Sequence, residues 1–353
     1  MRSNIIHYIF NFLFIVISSS ASSQTHSIEQ KTVNGFRLSI YLPPGYHKGQ
    51  VYKILYCNDG QTIFGSDGLN MDQQADDLLS KKLIGPLIMV GIHSDENRTS
   101  NYVPYDDEGA RQDFGNYKPA ADSYTQKIIS KVIPFIEKEY GVAGSRGIAG
   151  YSFGGLHATW ATLHYPDLFN FSAALSPSYW VDDFRLFKEA SKAKKEQRYY
   201  FDMGTGEWNY YVPFIRYSSL TLLENVFYYE AADAYHNIND WRKRIPNVLL
   251  LFAGKTDTTV YTWKIHQEII KSAATGKFYL RINPVITYSN GLTCSLSYAA
   301  TFLLLNPEDG VVNTDGSFRF NGTKDLKVKI IYKNEERSLT FSYTEIEKIK
   351  STL

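Results

Sequence analysis

The sequence predicts an α/β architecture, a mostly parallel β-sheet covered by helices on both faces, followed by a small all-β unit. Three observations carry that reading. Short apolar runs alternate with helical patterns between Phe36 and Gly254; turn-separated strands take over after Gly254; and a G-x-S-x-G stretch lies where an apolar run meets a helical one. A chain of 353 residues has room for two domains, and 44% hydrophobic with 21% charged residues is the composition of a folded globular protein. The formal net charge of +1 provides no field for nucleic acid or an anionic membrane. Tyr (27) and Phe (21) are abundant, which suits core packing first and aryl or sugar ligands second.

The amino terminus reads as a targeting segment. Arg2 opens it, Ile5 to Ile17 is mostly apolar, and small residues run from Ser18 to Ser23. The apolar run is too short for a permanent membrane span, so residues 1–23 are expected to be removed and the mature chain to be exported, periplasmic or secreted. Cys57 and Cys294 are the only cysteines. They make neither a disulfide framework nor a metal spacing, and Cys57, inside an apolar run, reads as a packing residue.

In the first part, residues 24–254, strands are expected at Phe36–Leu42, Ile54–Cys57, Leu87–Ile92, Gly147–Gly150, Phe169–Leu175, Tyr199–Met203 and Val226–Glu230. Helices are expected at Asp72–Leu83, Ser123–Tyr140, Gly155–His164, Asp183–Lys194, Pro213–Glu224 and Asn237–Leu251. The β-rich tail, 255–353, offers strands at Val260–Ile270, Phe278–Ile282, Thr293–Leu305, Gly316–Phe320, Lys327–Tyr332 and Ser338–Tyr343. Turn signals such as Ser289-Asn290-Gly291 separate them, no helix stands out, and a small sandwich is the expected form.

Gly150-Tyr151-Ser152-Phe153-Gly154 has the residues of a nucleophile elbow, a strained strand-to-helix turn whose glycines let the backbone pass without side-chain clash. Ser152 is therefore the candidate nucleophile. A hydroxyl needs a base, and the base needs a group to hold its tautomer; in this kind of site the chain order is Ser, acid, His. Of the histidines after Ser152, His157 and His164 ride the helix behind the elbow, where packing roles are expected, and His266 lies in the tail. His236 follows the strand Val226–Glu230 and is the candidate base. The acid should follow Tyr199–Met203, where Gly204-Thr205-Gly206-Glu207-Trp208 offers Glu207. Asp202 within the strand is the alternative, and Asp233 shares the histidine's own loop. The oxyanion hole should use the backbone N–H of Phe153 and a second from Gly60 or Gln61, in the turn after Ile54–Cys57. Tyr151, Trp180 and Trp241 are candidate walls of the substrate pocket.

At these residues the chain resembles the putative-esterase family of α/β-hydrolases, which includes enterochelin esterases, feruloyl and acetyl-xylan esterases, S-formylglutathione hydrolases and mycolyltransferases. The resemblance runs from about Gly35 to Gly254. It is carried by Tyr41-Leu42-Pro43-Pro44-Gly45-Tyr46, by Asn58-Asp59-Gly60-Gln61, which resembles the oxyanion loop of the enterochelin-esterase-like branch, and by Gly150 to Gly155. Ser176-Pro177-Ser178-Tyr179-Trp180, Gly204 to Glu207, and His236 with Trp241 complete it. Two positions depart from the family pattern: Tyr235 stands where glycine usually precedes the histidine, and the acid is Glu207 where Asp is common. The resemblance implies an α/β-hydrolase fold and a serine carboxylic-ester hydrolase with an acyl-enzyme intermediate, needing no metal or organic cofactor. A siderophore-type ester is the expected substrate; a carbohydrate ester (acetyl or feruloyl) or acyl transfer on the same fold is the alternative, and a non-catalytic glycan-binding protein a further one. The expected partners are a small-molecule or glycan ester, with no nucleic acid and no membrane.

Overall fold

The computed structural model describes residues 25–207, 225–255, 259–271, 278–297, 299–313, 316–320 and 324–351. The targeting segment expected at residues 1–23 and the helix expected at Pro213–Glu224 lie outside the described residues.

Eight strands form the main sheet: β1 (Ser27–Val33), β2 (Phe36–Leu42), β3 (Tyr52–Cys57), β4 (Leu87–Ile92), β5 (Ala143–Tyr151), β6 (Phe171–Leu175), β7 (Arg198–Gly204) and β8 (Val226–Ala231). Their spatial order is β1-β2-β4-β3-β5-β6-β7-β8. β2 is antiparallel to both its neighbours, and every pair from β4 to β8 is parallel. This is the α/β-hydrolase type of sheet that the sequence predicts. Both faces are covered, so its central strands are apolar on both sides. In β3, Ile54 and Tyr56 join a core with the helices Ala121–Lys127 and Phe153–His164, while Leu55 and Cys57 join a second core with Met71–Ser80 and Ile245–Ala253.

The chain leaves β3 for β4 on one side, then returns as β5 on the other. Such a reversal opens a crevice at the carboxyl ends of the strands, the usual place for a ligand in an open parallel sheet. The segments after β3 and β5, which begin at Asn58 and Ser152, therefore start at that edge. Strands β6, β7 and β8 then add in sequence, bringing the segments after them to the same edge.

Several elements differ from expectation for local reasons. Strand β1 pairs with β2 through Asn34-Gly35, both at positive φ (48° and 88°), the requirement of a two-residue hairpin turn. The helix expected over Ser123–Tyr140 contains a π-turn at Ile128–Val132, just before Pro134, which has no N–H to give a regular helical bond. Asn237–Leu251 is two helices, Ile238–Arg242 and Ile245–Ala253, because Pro246 suits a helix start and not an interior. The helix expected at Asp183–Lys194 is Val181–Lys188, with Asp182, Asp183 and Phe184 left-handed and a short 3-10 turn at Ala190–Lys192.

The tail holds β9 (Val260–Lys271), β10 (Phe278–Tyr288), β11 (Thr293–Ser295), β12 (Thr301–Leu304), β13 (Gly310–Val312), β14 (Ser317–Phe320), β15 (Leu326–Tyr332) and β16 (Glu335–Phe341). They make two antiparallel sheets, one with β10 pairing β9, β11 and β14, and one ordered β12-β15-β16. Ile282, Phe302, Phe318, Val328 and Ile330 fill the space between them. The expectation of a helix-free tail is corrected: Tyr343–Ser351 is helical. Ser342 and Glu345 cap it reciprocally, each backbone N–H donating to the other's side chain at 3.1 Å, so S-x-x-E was a readable helix start. Beyond this local core, Ile286, Tyr288, Leu292, Cys294 and Leu296 belong to the same buried cluster as Leu249, Trp241 and Tyr200 of the large sheet's layer.

Candidate active site

Ser152 connects β5 to the helix Phe153–His164 with φ 55° and ψ −125°, a conformation that non-glycine residues rarely adopt. Neighbouring glycines make the turn possible. A Cβ on Gly150 would lie 2.4 Å from the Gly154 carbonyl oxygen, and one on Gly155 would press on Pro177 at 3.1 Å. The hydroxyl is thereby pushed out of the sheet edge, with the positive end of a helix behind it.

His236 meets that hydroxyl. Its Nε2 is 3.1 Å from Ser152 Oγ, and its Nδ1 is 2.9 Å from Glu207 Oε2. The imidazole is half-buried and the carboxylate completely so. The loops that carry them are stitched together: Thr205 N–H donates to Ala231 O at 2.9 Å and Gly206 N–H to Ala234 O at 3.0 Å. A Cβ on Gly204 would come within 2.1 Å of the Ala234 oxygen, so only glycine lets the loops close.

Glu207 Oε1 faces away from the histidine into a set of donors. Ser176 Oγ donates to it at 2.5 Å and Gly204 N–H at 2.8 Å, and Arg244 Nη2 lies 3.6 Å away. Burial pushes the carboxyl up, but the hydrogen bonds from His236 and Ser176, with the Arg244 charge, outweigh it and hold Glu207 below its usual value. Asp202 is oriented otherwise. It accepts Ser176 N–H at 3.0 Å and Tyr200 O–H at 2.7 Å, and lies 3.0 Å from Arg244 Nη1. Complete burial raises it to about 6 in spite of Arg244. Ser176 is a hub, since its oxygen also accepts Trp241 Nε1–H and Arg244 Nη2–H, each at 2.9 Å. The sequence marks Ser176 only as part of the Ser176–Trp180 segment, and Arg244 carries no motif at all.

Phe153 N–H belongs to the first helical turn, whose donors have no acceptor within the helix. The opposing turn, Gly60–Thr62, follows Asp59 at φ 56°. Gly60 has no room for a side chain, since a Cβ would lie 2.3 Å from Gly91. The Gln61 side chain is turned to Ser94, donating to its Oγ at 2.6 Å and accepting its N–H at 3.0 Å, so only its backbone is available to the site. Asn58 Nδ2 donates to Gly154 O at 2.8 Å, joining this segment to the elbow, and Arg98 holds buried Asp59 by two bonds of 2.6 and 2.8 Å. A polar cavity of about 470 Å³ opens behind Arg98, lined also by Arg37, His93, Asp95 and Lys127; none of the triad candidates lines it.

The aromatic candidates take different places. Trp241 is buried, stacked on Tyr151 at 4.3 Å and edge-on to His236 at 4.8 Å, so it backs the imidazole and limits its movement. Trp180 is half-buried, its ring 6.0 Å from that of Phe153 and 6.4 Å from that of Phe114, a residue 53% exposed. Among the described residues no group of three His, Cys, Asp or Glu could hold a metal, and no helix is long and apolar enough to cross a membrane.

Residues 30–252 match the family described as Putative esterase. An uncharacterized protein, YbbA, of Bacillus subtilis is 28% identical over 161 residues, 44% of this chain and 62% of that protein. Endo-1,4-beta-xylanase Y of Acetivibrio thermocellus is 27% identical over 167 residues, 42% of this chain and 14% of the xylanase. The chain thus spans less than two thirds of either relative. Among solved structures, the enterobactin esterase of Shigella flexneri aligns with a TM-score of 0.52 at 17% identity, covering 65% of this chain and 60% of that one. The BES protein of Bacillus cereus aligns at 0.51 and 17% identity, covering 72% of this chain and 100% of that one.

Proposed function

The chain belongs to the putative esterase family, and we propose that it hydrolyses carboxylic esters with Ser152 as nucleophile, His236 as base and Glu207 as the acid that orients it. The observation that carries the reading is the continuous line Glu207–His236–Ser152, with contacts of 2.9 and 3.1 Å. Glu207, held ionised, accepts the hydrogen bond from Nδ1–H, which keeps the proton on Nδ1 and leaves the Nε2 lone pair facing the hydroxyl. As Oγ attacks the ester carbonyl, His236 takes its proton. The oxyanion that forms is held by Phe153 N–H and by the N–H of Gly60 or Gln61, each such donor being worth about 3 kcal/mol of barrier. His236 then gives the proton to the departing alkoxide. Water, deprotonated by the same imidazole, releases the acid and restores the serine.

The substrate we favour is a siderophore-type ester, on the Asn58-Asp59-Gly60-Gln61 loop and the aromatic surface that Trp180 and Phe114 form against Phe153, the residue after Ser152. A glycan acyl ester is the second reading, supported by the likeness to a xylanase over 167 residues. Export of the mature chain, on the strength of residues 1–23, is part of the proposal. The test is hydrolysis by the purified mature chain of an aryl acetate, a catecholate trilactone, a feruloyl sugar and acetylated xylan. Ser152→Ala should lower kcat by about 10⁴-fold or more with the fold intact. A variant that keeps a tenth of the activity would overturn the assignment, and the ranking of the esters decides between the substrate readings.

A further inference from the structure

His157 lies one turn into the helix behind Ser152 and is completely buried. A buried imidazole must have its nitrogens matched. Its Nε2 is 2.9 Å from Thr125 Oγ1 and its Nδ1 is 3.0 Å from Asn58 Nδ2. Thr125 spends its own proton on Ala121 O at 2.7 Å, so toward the histidine it can only accept. His157 therefore carries its proton on Nε2 and offers a lone pair at Nδ1. That lone pair takes one hydrogen of the Asn58 amide, and the other goes to Gly154 O at 2.8 Å. Tyr102 stacks on the ring at 5.6 Å and Tyr124 meets it edge-on at 5.3 Å. Burial pushes the imidazole down to about 3, so this arrangement holds across the working pH range.

Asn58 is the first residue of the loop that carries Gly60 and Gln61, and Gly154 is the second residue of the helix that begins with Phe153. Asn58 is also fixed by its backbone, which donates to Ala149 O at 2.9 Å. The packing leaves no slack, since a Cβ on Gly154 would sit 3.2 Å from Asn58 Cβ. Both segments proposed above to supply oxyanion donors are thus joined by one amide, and the orientation of that amide is set by His157. Without the lone pair at Nδ1, one buried amide hydrogen has no acceptor and the amide is free to turn.

We propose that His157 is a positioning residue for the oxyanion hole, acting through Asn58 to fix the loop at Gly60 and Gln61 against the elbow. The inference rests on the oxyanion assignment of the preceding section. Its test is His157→Leu, with His157→Gln as the variant that keeps an acceptor and a donor. In His157→Leu, kcat on an aryl acetate should fall about 10- to 100-fold, part of the effect of losing one oxyanion donor, with KM changed less than about threefold. Inhibition by an aryl trifluoromethyl ketone, which forms an oxyanion adduct with the serine, should weaken by the same factor. His157→Gln should stay within about threefold of wild type in both. Wild-type kcat and inhibition in a folded His157→Leu, whatever its melting midpoint, would leave His157 a packing residue and overturn the proposal. If His157→Leu does not fold, Asn58→Ala decides in its place, with the same losses expected and wild-type values again overturning. Failure of the underlying reading looks different: the wild type would not be inhibited by the ketone, or Ser152→Ala would remain active.

Discussion

Replacing Glu207 by Gln should disable the base while leaving the shape of the site unchanged. At Oε1 the wild-type carboxylate receives Ser176 O–H and Gly204 N–H, with Arg244 nearby. All are donors, so the amide oxygen of Gln must take that position. The amide nitrogen is then forced to the Oε2 position, 2.9 Å from His236 Nδ1. It can only donate there, and His236 must answer with a lone pair at Nδ1 and a proton on Nε2, toward Ser152. An imidazole in that tautomer cannot accept the serine proton. The wrong tautomer costs a serine hydrolase about 10⁴ in kcat, equivalent to about 5 kcal/mol of barrier. Steady-state hydrolysis of an aryl acetate measures the loss, and circular dichroism checks the fold. A folded Glu207→Gln enzyme within tenfold of wild type would refute the reasoning, and a larger loss in folded Asp202→Asn would move the acid to Asp202.

Asp202→Asn should leave kcat of the folded enzyme within about tenfold of wild type, because Asp202 reaches Arg244 and Ser176 and not the reacting atoms. Its folded pKa is raised to about 6 from 3.8, so its contribution to stability is present below 3.8 and lost as pH rises through about 6; melting midpoints taken across that window should show a slope in the wild type that the Asn variant lacks. Glu207 has the opposite sign: its contribution is complete above its usual value of 4.5 and lost as pH falls through the lower folded value, so the stability gap between wild type and Glu207→Gln should narrow in acid. Trp180→Ala and Phe114→Ala should each raise KM for aromatic acyl esters by about 5- to 10-fold, the worth of one aromatic pair, with an alkyl acetate as control; an equal rise for the control would remove both from the substrate surface.

The parts of the fold that were legible in the sequence are those governed by repeating patterns. A strand buried on both faces needs a continuous apolar run, and β4, Leu87 to Ile92, is such a run and buried throughout. Parallel topology then brings the segments after β5, β7 and β8 to one edge, so Ser152, Glu207 and His236 meet although 84 positions separate Ser152 from His236. Elements fixed by two or three residues escaped a periodic reading: the Asn34-Gly35 hairpin, the Ser342–Glu345 cap and the π-turn before Pro134. The roles of Ser176, Arg244 and Asn58 were beyond reach for another reason. Each acts through hydrogen-bond partners distant in the chain; the motifs that contain Ser176 and Asn58 do not tell what those side chains hold, and Arg244 lies in no motif.

The change of texture near Gly254 marks a new kind of secondary structure, but the core continues across it. Ile286, Tyr288, Leu292, Cys294 and Leu296 are all less than 7% exposed and pack in one cluster with Trp241, Leu249 and Leu250. At about 1.5–3 kcal/mol for each buried side chain, their burial contributes up to about 8–15 kcal/mol, an upper estimate that equals the stability of a whole domain. A charge is shared as well. Glu230, on the strand that leads to His236, is completely buried against Arg281 of β10, and its backbone N–H donates to Ser295 Oγ at 2.8 Å. Removing Arg281 would leave that carboxylate buried without its counter-charge, a loss of about 3–5 kcal/mol. A chain ending near Gly254 should therefore be insoluble or inactive on a small aryl ester, and the full-length protein should unfold in one transition followed alike by activity and near-ultraviolet circular dichroism. A soluble fragment, residues 24–254, that hydrolyses the ester at nearly the wild-type rate would mean that the tail is only docked on a self-sufficient catalytic unit.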